Sequence, residues 1–306
     1  MDDLHALPKM RDSISSLYIE RGRIDRDEKS IAVHDKDGVT AIPVASLAVL
    51  MLGPGTRITH AAIRVLAENN CLAVWCGEEN VRFYASGTGG TRSAAPLLWQ
   101  ARLASLEETR LEVVKRMYTV RFKDPVPANA GVQQLRGWEG VRVREAYAQA
   151  SKATGVKWEG RNYDRTNWAT ADPANRALSC ANSCLYGLCH AAILATGFSP
   201  AIGFIHTGKQ LSFVYDIADL YKVEISIPLA FRAAAEASTD LERTVRLQCR
   251  ETFRESRLLQ RVAPDIRRVL AVDEELLGDD FVADADPALP APLWTPATEL
   301  ADSSEG

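Results

Sequence analysis

Three acid- or imidazole-bearing segments in the second half of the chain have the residue types that chemistry needs. Glu139 lies in Leu135-Arg136-Gly137-Trp138-Glu139-Gly140-Val141-Arg142-Val143-Arg144, an acid between two glycines inside a helix-periodic stretch. Each such glycine costs a helix about 1 kcal/mol against alanine, so the pair predicts that something approaches the backbone there. Arg136, Arg142 and Arg144 surround the acid, and the competing account is a surface carboxylate in an ion-pair network. His206 lies in Gly203-Phe204-Ile205-His206-Thr207-Gly208-Lys209. Asp216 and Asp219 follow in Tyr215-Asp216-Ile217-Ala218-Asp219, three apart, and so share one face of a helix. Two like charges on an otherwise apolar helix repel unless a cation sits near them. Together, Glu, His and Asp form a mixed oxygen and nitrogen donor set. The carboxylates suit Mg²⁺ or Mn²⁺, and the imidazole favours Mn²⁺ as a workable substitute. The alternative is that Asp216 or Asp219 pairs with Lys222 or an arginine.

Two further patterns resemble binding sites but lack the chemistry. Gly203-x-x-x-x-Gly208-Lys209 has the spacing of a phosphate-cradling loop, yet Gln210 stands where Ser or Thr would hold Mg²⁺. Its surroundings also read as helical rather than as βα units. Cys180, Cys184, Cys189 and His190 fall on one helix-periodic segment. Zinc sites usually gather two short ligand pairs from a loop or hairpin, so these cysteines are expected to pack as small apolar groups. All six cysteines are scattered and are expected to be reduced thiols in a cytoplasmic protein. His5, His34 and His60 have no clustered partners.

The elements that must position these residues separate into two kinds. Residues 17–19, 30–34, 39–44, 71–76 and 81–85 read as strands, with a hairpin turn at Asp35-Lys36-Asp37-Gly38. Thr59 caps a short helix over 60–69. A Gly- and Thr-rich linker follows, and then apolar residues recur at helical spacing over 97–122, 132–154, 173–195 and 211–221. Thr239-Asp240-Leu241-Glu242 has the form of a capping box for a helix reaching about 259, and a last helix is expected over 263–276. The fold class is therefore α+β. A small β-rich domain (1–86) and a linker (87–93) precede a larger all-α catalytic domain (94–280), and a disordered, acidic, Pro-rich tail (281–306) ends the chain.

Charge and composition bound the partners. The 306 residues are 46% hydrophobic and 25% charged, which excludes fibrous and wholly disordered chains. The longest apolar run, around 45–52, is too short for a membrane span. The N-terminus, Met1-Asp2-Asp3, lacks an apolar signal core, so secretion is not expected. The formal net charge of −4 is an average of unlike parts. Residues 273–306 hold ten acidic residues and no Lys or Arg, which leaves 36 basic against 30 acidic over residues 1–272, a net of +6. A basic body with an acidic tail suits a polyanion partner.

Several motifs together carry a family resemblance. Gln134-Leu135-Arg136-Gly137-Trp138-Glu139-Gly140, Ser183-Cys184-Leu185-Tyr186-Gly187, Gly203 to Lys209, and Leu211 to Asp219 resemble the CRISPR-associated integrases, most closely their type I-E form. Gly55-Thr56-Arg57-Ile58-Thr59-His60-Ala61-Ala62 and Val81-Arg82-Phe83-Tyr84-Ala85-Ser86-Gly87 extend the resemblance into the β-rich part, so that it runs from about Ser16 to Leu270. The resemblance implies a metal-dependent DNA integrase of CRISPR adaptation. A short fragment's 3′-hydroxyl attacks a phosphodiester of the CRISPR array, with no ATP needed. It implies Mg²⁺ or Mn²⁺ held by Glu139, His206 and Asp219, with Asp216 as a further catalytic aspartate. It places DNA-contacting arginines at Arg57 and Arg82 and matching basic stretches at Arg136, Arg142, Arg161, Lys209, Arg246 and Arg250, with Tyr186 near the reacting end. It further implies double-stranded DNA as partner, a homodimer formed through the β domain, and a small ferredoxin-like dimeric protein bridging two dimers.

One departure is Arg21, where relatives can carry a Tyr that stacks on the fragment end. A guanidinium can stack too, but it also attracts phosphate. Two other functions compete: a structure-specific endonuclease on branched DNA, with the same active site, and a non-catalytic DNA-binding scaffold, which has no need of such a triad. In the tail, Leu289, Leu293 and Trp294 alternate with Pro287, Pro290, Pro292 and Pro296. That pattern suits an extended segment docking on the small partner, with Trp294 as anchor, or a solvated tail that aids solubility.

Overall fold

The computed structural model describes residues 15–69, 71–77, 83–87, 94–122, 126–127, 129–161, 171–236 and 239–272. Arg82, most of the linker and the acidic tail with Trp294 lie outside them. The N-terminal part holds two four-stranded sheets. One is ordered β1 (Ser15–Ile19), β5 (Leu47–Leu52), β7 (Leu72–Cys76), β8 (Phe83–Gly87), and the other β4 (Gly38–Ile42), β3 (Ser30–Asp35), β2 (Arg23–Asp27), β6 (Arg57–Ile58). In the first sheet β1, β5 and β7 run parallel and β8 returns antiparallel. Helix α1 (His60–Glu68) links the sheets, and its Thr59 cap forms as predicted, accepting from Ala62 N. The chain crosses between the sheets at Arg21, whose φ of 54° is left-handed.

The parallel strands are buried on both faces, which explains the unbroken apolar run of β5. Leu50, Leu52 and Ala73 face a small core with Ile24, Ile31 and α1. Val49, Met51, Leu72 and Val74 face the other way, into the large core shared with the helices. Gly187 of the helical part faces this layer, where a Cβ would stand at ordinary contact distance, 3.7 Å from Met51 Sδ and 3.8 Å from Val49 Cγ1.

The helical part comprises α2 (Ala95–Ser105), α3 (Glu107–Phe122), α4 (Val132–Thr154), α5 (Pro173–Ala195), α6 (Ser212–Asp219), α7 (Ile227–Ala235), α8 (Leu241–Glu255) and α9 (Leu258–Val269). Helix α5 is the central element. Asp172 caps it by accepting from Asn175 N, and Pro173 opens its first turn. By length and composition alone it could cross a membrane, contrary to the sequence expectation, but 72% of its most apolar stretch is buried inside the protein.

Several expectations need correction. The helix expected over 97–122 is two helices, because Leu106 is extended and the Thr109 hydroxyl donates to Leu103 O across the break. Glu107 and Glu108 then suit the positive start of α3. Strand β2 is not predicted by the sequence pattern, because Arg-Ile-Asp-Arg-Asp shows one apolar residue, Ile24. Helix α7 was also missed. It follows a wide π-helical turn at Lys222–Ser226, closed by Ile227 N donating to Lys222 O. The cap of α8 is Asp240 rather than Thr239, and Glu242 is instead buried against Arg176 on α5. Helix α8 stops at Glu255, and the last helix starts at Leu258 rather than 263.

Candidate active site

Asp216 on α6 is fully buried, and its carboxylate organises the loop before it. Oδ2 accepts from Phe204 N at 2.6 Å and Ile205 N at 3.1 Å, and Oδ1 accepts from His206 N at 2.8 Å. Oδ1 also meets His206 Nδ1 at 2.8 Å. A carboxylate only accepts, so Nδ1 carries a proton, and in the neutral ring the Nε2 lone pair is left for another partner. This hydrogen bond raises the His206 pKa above its ordinary 6.5, against the opposing effect of burial. The glycine spacing that resembled a phosphate loop belongs to this turn, whose N–H groups point inward to Asp216. Gly203 is required by close approach, since a Cβ there would lie 2.1 Å from His206 O.

Other helices fix the same loop. Gln100 on α2 donates to Ser199 O and Ile202 O and accepts from Ser199 N, at 3.0, 2.8 and 2.7 Å. Arg110 on α3 donates to Phe204 O at 2.8 Å, and Arg136 on α4 donates to Ile205 O at 3.0 Å.

Glu139 and Asp219 converge on Arg121, a residue of α3 whose side chain is 6% exposed. Arg121 Nη1 contacts Glu139 Oε1 and stands 3.7 Å from Asp219 Oδ2. Tyr118, one turn earlier on α3, donates its hydroxyl to Glu139 Oε2 at 2.6 Å. Burial, and then this bond to Glu139, push the Tyr118 pKa up. Lys222 Nζ pairs with Asp219 Oδ1 and lies 4.9 Å from the centroid of the Tyr186 ring. Burial favours a neutral Asp219, but Lys222 and Arg121 outweigh it and hold the carboxyl below its usual range. The competing sequence account of Asp219 paired with Lys222 or an arginine therefore holds on both counts.

The donor chemistry fits a hard divalent cation: two carboxylates and an imidazole on Nε2. Asp219 Oδ1, although ion-paired, is buried without an aligned hydrogen bond, and so is Arg121 Nε. Among the described residues, no three His, Cys, Asp or Glu side chains stand close enough as placed to hold one ion.

The remaining predicted residues are spread more widely. Arg57, Lys209 and Arg250 are exposed. Arg142 stacks over the Phe122 ring at 4.6 Å, and Arg246 over the Tyr18 ring at 4.6 Å. Arg161 donates to Ser179 Oγ at 3.1 Å and to Asn175 Oδ1 at 3.3 Å. Tyr186 packs edge-on against Tyr215 beside the Lys222–Asp219 pair. Arg121, Tyr118, Gln100 and Arg110 were not singled out from sequence. Their only local signal is that polar residues stand on the buried face of α2 and α3.

Comparison with known proteins identifies the family. The family profile described as CRISPR associated protein Cas1 matches residues 17–124 and 119–245. CRISPR-associated endonuclease Cas1 2 of Thermus thermophilus is 54% identical over 295 residues, 95% of this chain and 90% of that protein. CRISPR-associated endonuclease Cas1 of Geobacter sulfurreducens is 52% identical over 263 residues, 86% of each chain. A solved structure described as a TtCas1–DNA complex matches with a TM-score of 0.79 at 53% identity, covering 92% of this chain and 96% of that one. With identity above one half sustained over nearly its whole length, this chain belongs to the Cas1 family.

Proposed function

We propose that this protein is a metal-dependent DNA integrase of CRISPR adaptation, of the type I-E form, which joins short duplex fragments to the CRISPR array. The observation that carries the reading is the meeting of Glu139 and Asp219 on one guanidinium, with His206 held beside them by Asp216. In a Cas1-family chain, that cluster is a site for strand chemistry at a phosphodiester. Glu139, His206 and Asp219 would hold a Mg²⁺ or Mn²⁺ ion, which would supply Lewis-acid stabilisation of the charge that develops at the phosphodiester.

The chain's own residues set up that reaction. Asp216 keeps the imidazole proton on Nδ1 and turns Nε2 outward. Tyr118 orients Glu139, and Lys222 keeps Asp219 ionised. Arg57, Arg82, Arg136, Arg142, Arg161, Lys209, Arg246 and Arg250 hold phosphates, giving affinity with little sequence content. Tyr186 borders the reacting end. Double-stranded DNA, a homodimer through the β-sheet part, a small ferredoxin-like dimeric partner and a cytoplasmic location complete the reading.

A labelled oligonucleotide incubated with a supercoiled array plasmid and Mn²⁺ tests it. Label joined to the plasmid is expected. Shortened label alone identifies an endonuclease of branched DNA instead, and a mobility shift without product identifies a scaffold.

A further inference from the structure

The two carboxylates of the site are held in the same divided way. Glu139 gives Oε2 to the Tyr118 hydroxyl and Oε1 to Arg121. Asp219 gives Oδ1 to Lys222 and Oδ2 to Arg121. Each therefore has one oxygen on a fixed partner and one on the same Arg121 nitrogen.

That guanidinium is poorly used as a hydrogen-bonding group. Five N–H donors in a planar fork favour paired contacts to one carboxylate. Here Nη1 serves both acids, and Nε is buried with no partner. Charge rather than hydrogen-bond geometry sets this pose. A Mg²⁺ or Mn²⁺ ion needs oxygens near 2.1 Å, which a guanidinium between the carboxylates prevents.

We propose that Arg121 is a built-in cation of the site, a positioning residue that spaces Glu139 and Asp219 in the metal-free protein and swings away when a divalent ion takes its place. The inference rests on the metal-site reading above. Tyr118 and Lys222 keep the two acids oriented throughout, so the exchange frees only Glu139 Oε1 and Asp219 Oδ2. Arg121 thereby holds the carboxylates as neutralised pairs and lowers apparent metal affinity by the fraction of protein in which it has moved away.

The test is Mn²⁺ binding by calorimetry to wild type, Arg121→Gln and Arg121→Lys. A competent state populated at 1–10% sets the expected gain for Arg121→Gln at about 10- to 100-fold tighter binding. Arg121→Lys, which keeps the charge, should stay near wild type. Wild-type binding that Arg121→Gln leaves unchanged or weakens would overturn the role given to Arg121 and leave the metal site standing. No binding by any of the three would overturn both readings. A second measurement needs no variant to fold. In wild type, hydrogen exchange at Arg121 Nε–H should quicken about tenfold or more when Mg²⁺ is added, by the same population shift, and an unchanged rate refutes the exchange.

Discussion

Replacing Asp216 by Asn keeps shape and volume and removes one acceptor, which isolates what the carboxylate does. The amide has two orientations. With its nitrogen toward Phe204 and Ile205, it faces two backbone N–H donors now 2.6 and 3.1 Å from the wild-type oxygen, and both lose their acceptor. With its nitrogen toward His206, only the His206 N–H is orphaned. The second orientation is preferred, because one buried unsatisfied donor costs about 1–3 kcal/mol and two cost about twice that. In that orientation the amide donates to His206 Nδ1, so the ring proton moves to Nε2 and the lone pair proposed for the metal disappears. Asp216→Asn should therefore lose about 1–3 kcal/mol in urea unfolding while strand transfer and Mn²⁺ affinity fall about 10- to 100-fold or more. Nitrogen-15 shifts of His206 should report the change of tautomer. A folded variant that keeps the Nδ1–H tautomer and transfers strands within a few-fold of wild type refutes the reasoning.

Gly203→Ala places a Cβ 2.1 Å from His206 O and 2.8 Å from Ser212 Cβ. It should destabilise the fold by about 2 kcal/mol or more and abolish strand transfer, read by thermal melting and the plasmid assay. Gly137→Ala should act in the opposite direction. Its Cβ meets nothing within 4 Å on an exposed helix face, so the melting temperature should rise with a gain of about 0.5–1 kcal/mol, and a fall contradicts the open-face description. The third concerns His190, 4% exposed, whose burial lowers its pKa from 6.5 to about 4. The unfolded chain binds a proton there below pH 6.5 that the native chain refuses, so this contribution to stability is intact above pH 6.5 and falls on acidification by about 1.4 kcal/mol per pH unit down to about pH 4. His190→Gln should flatten that part of the pH–stability curve, and an unchanged slope shows that another group is responsible.

What could be read from sequence depended on whether the signal was local. Helix α5 was legible to the residue because its long apolar period, starting at Pro173, lies wholly within it. Strand β2 was not, since its burial comes from neighbours on both sides rather than from its own composition. The paired aspartates lie on one helix as their spacing predicts, yet they do not share one role. Asp216 turns to the loop and Asp219 to two cations. Glu139 does pair with an arginine, though not with those beside it. Arg136 and Arg142 are engaged with Ile205 O and the Phe122 ring, and Arg121 comes from another helix. A contact between helices leaves no spacing to count. Local pattern and the resemblance point to the same Glu139, His206, Asp216 and Asp219, while Tyr118, Arg121, Gln100 and Arg110 emerge only from the fold.

The loop that carries His206 is tied to Gln100, Arg110, Arg136 and Asp216, residues of α2, α3, α4 and α6. Three of those ties join residues 69 to 102 positions apart. Each contact of that separation closes a long loop and carries a correspondingly larger entropic cost than a local one. A molecule in which one of these helices undocks loses a tie to the loop and with it the alignment of the imidazole. For a protein that breaks and rejoins DNA strands, the imidazole is therefore a sensor of docking: it is aligned only while α2, α3, α4 and α6 are held together around its loop.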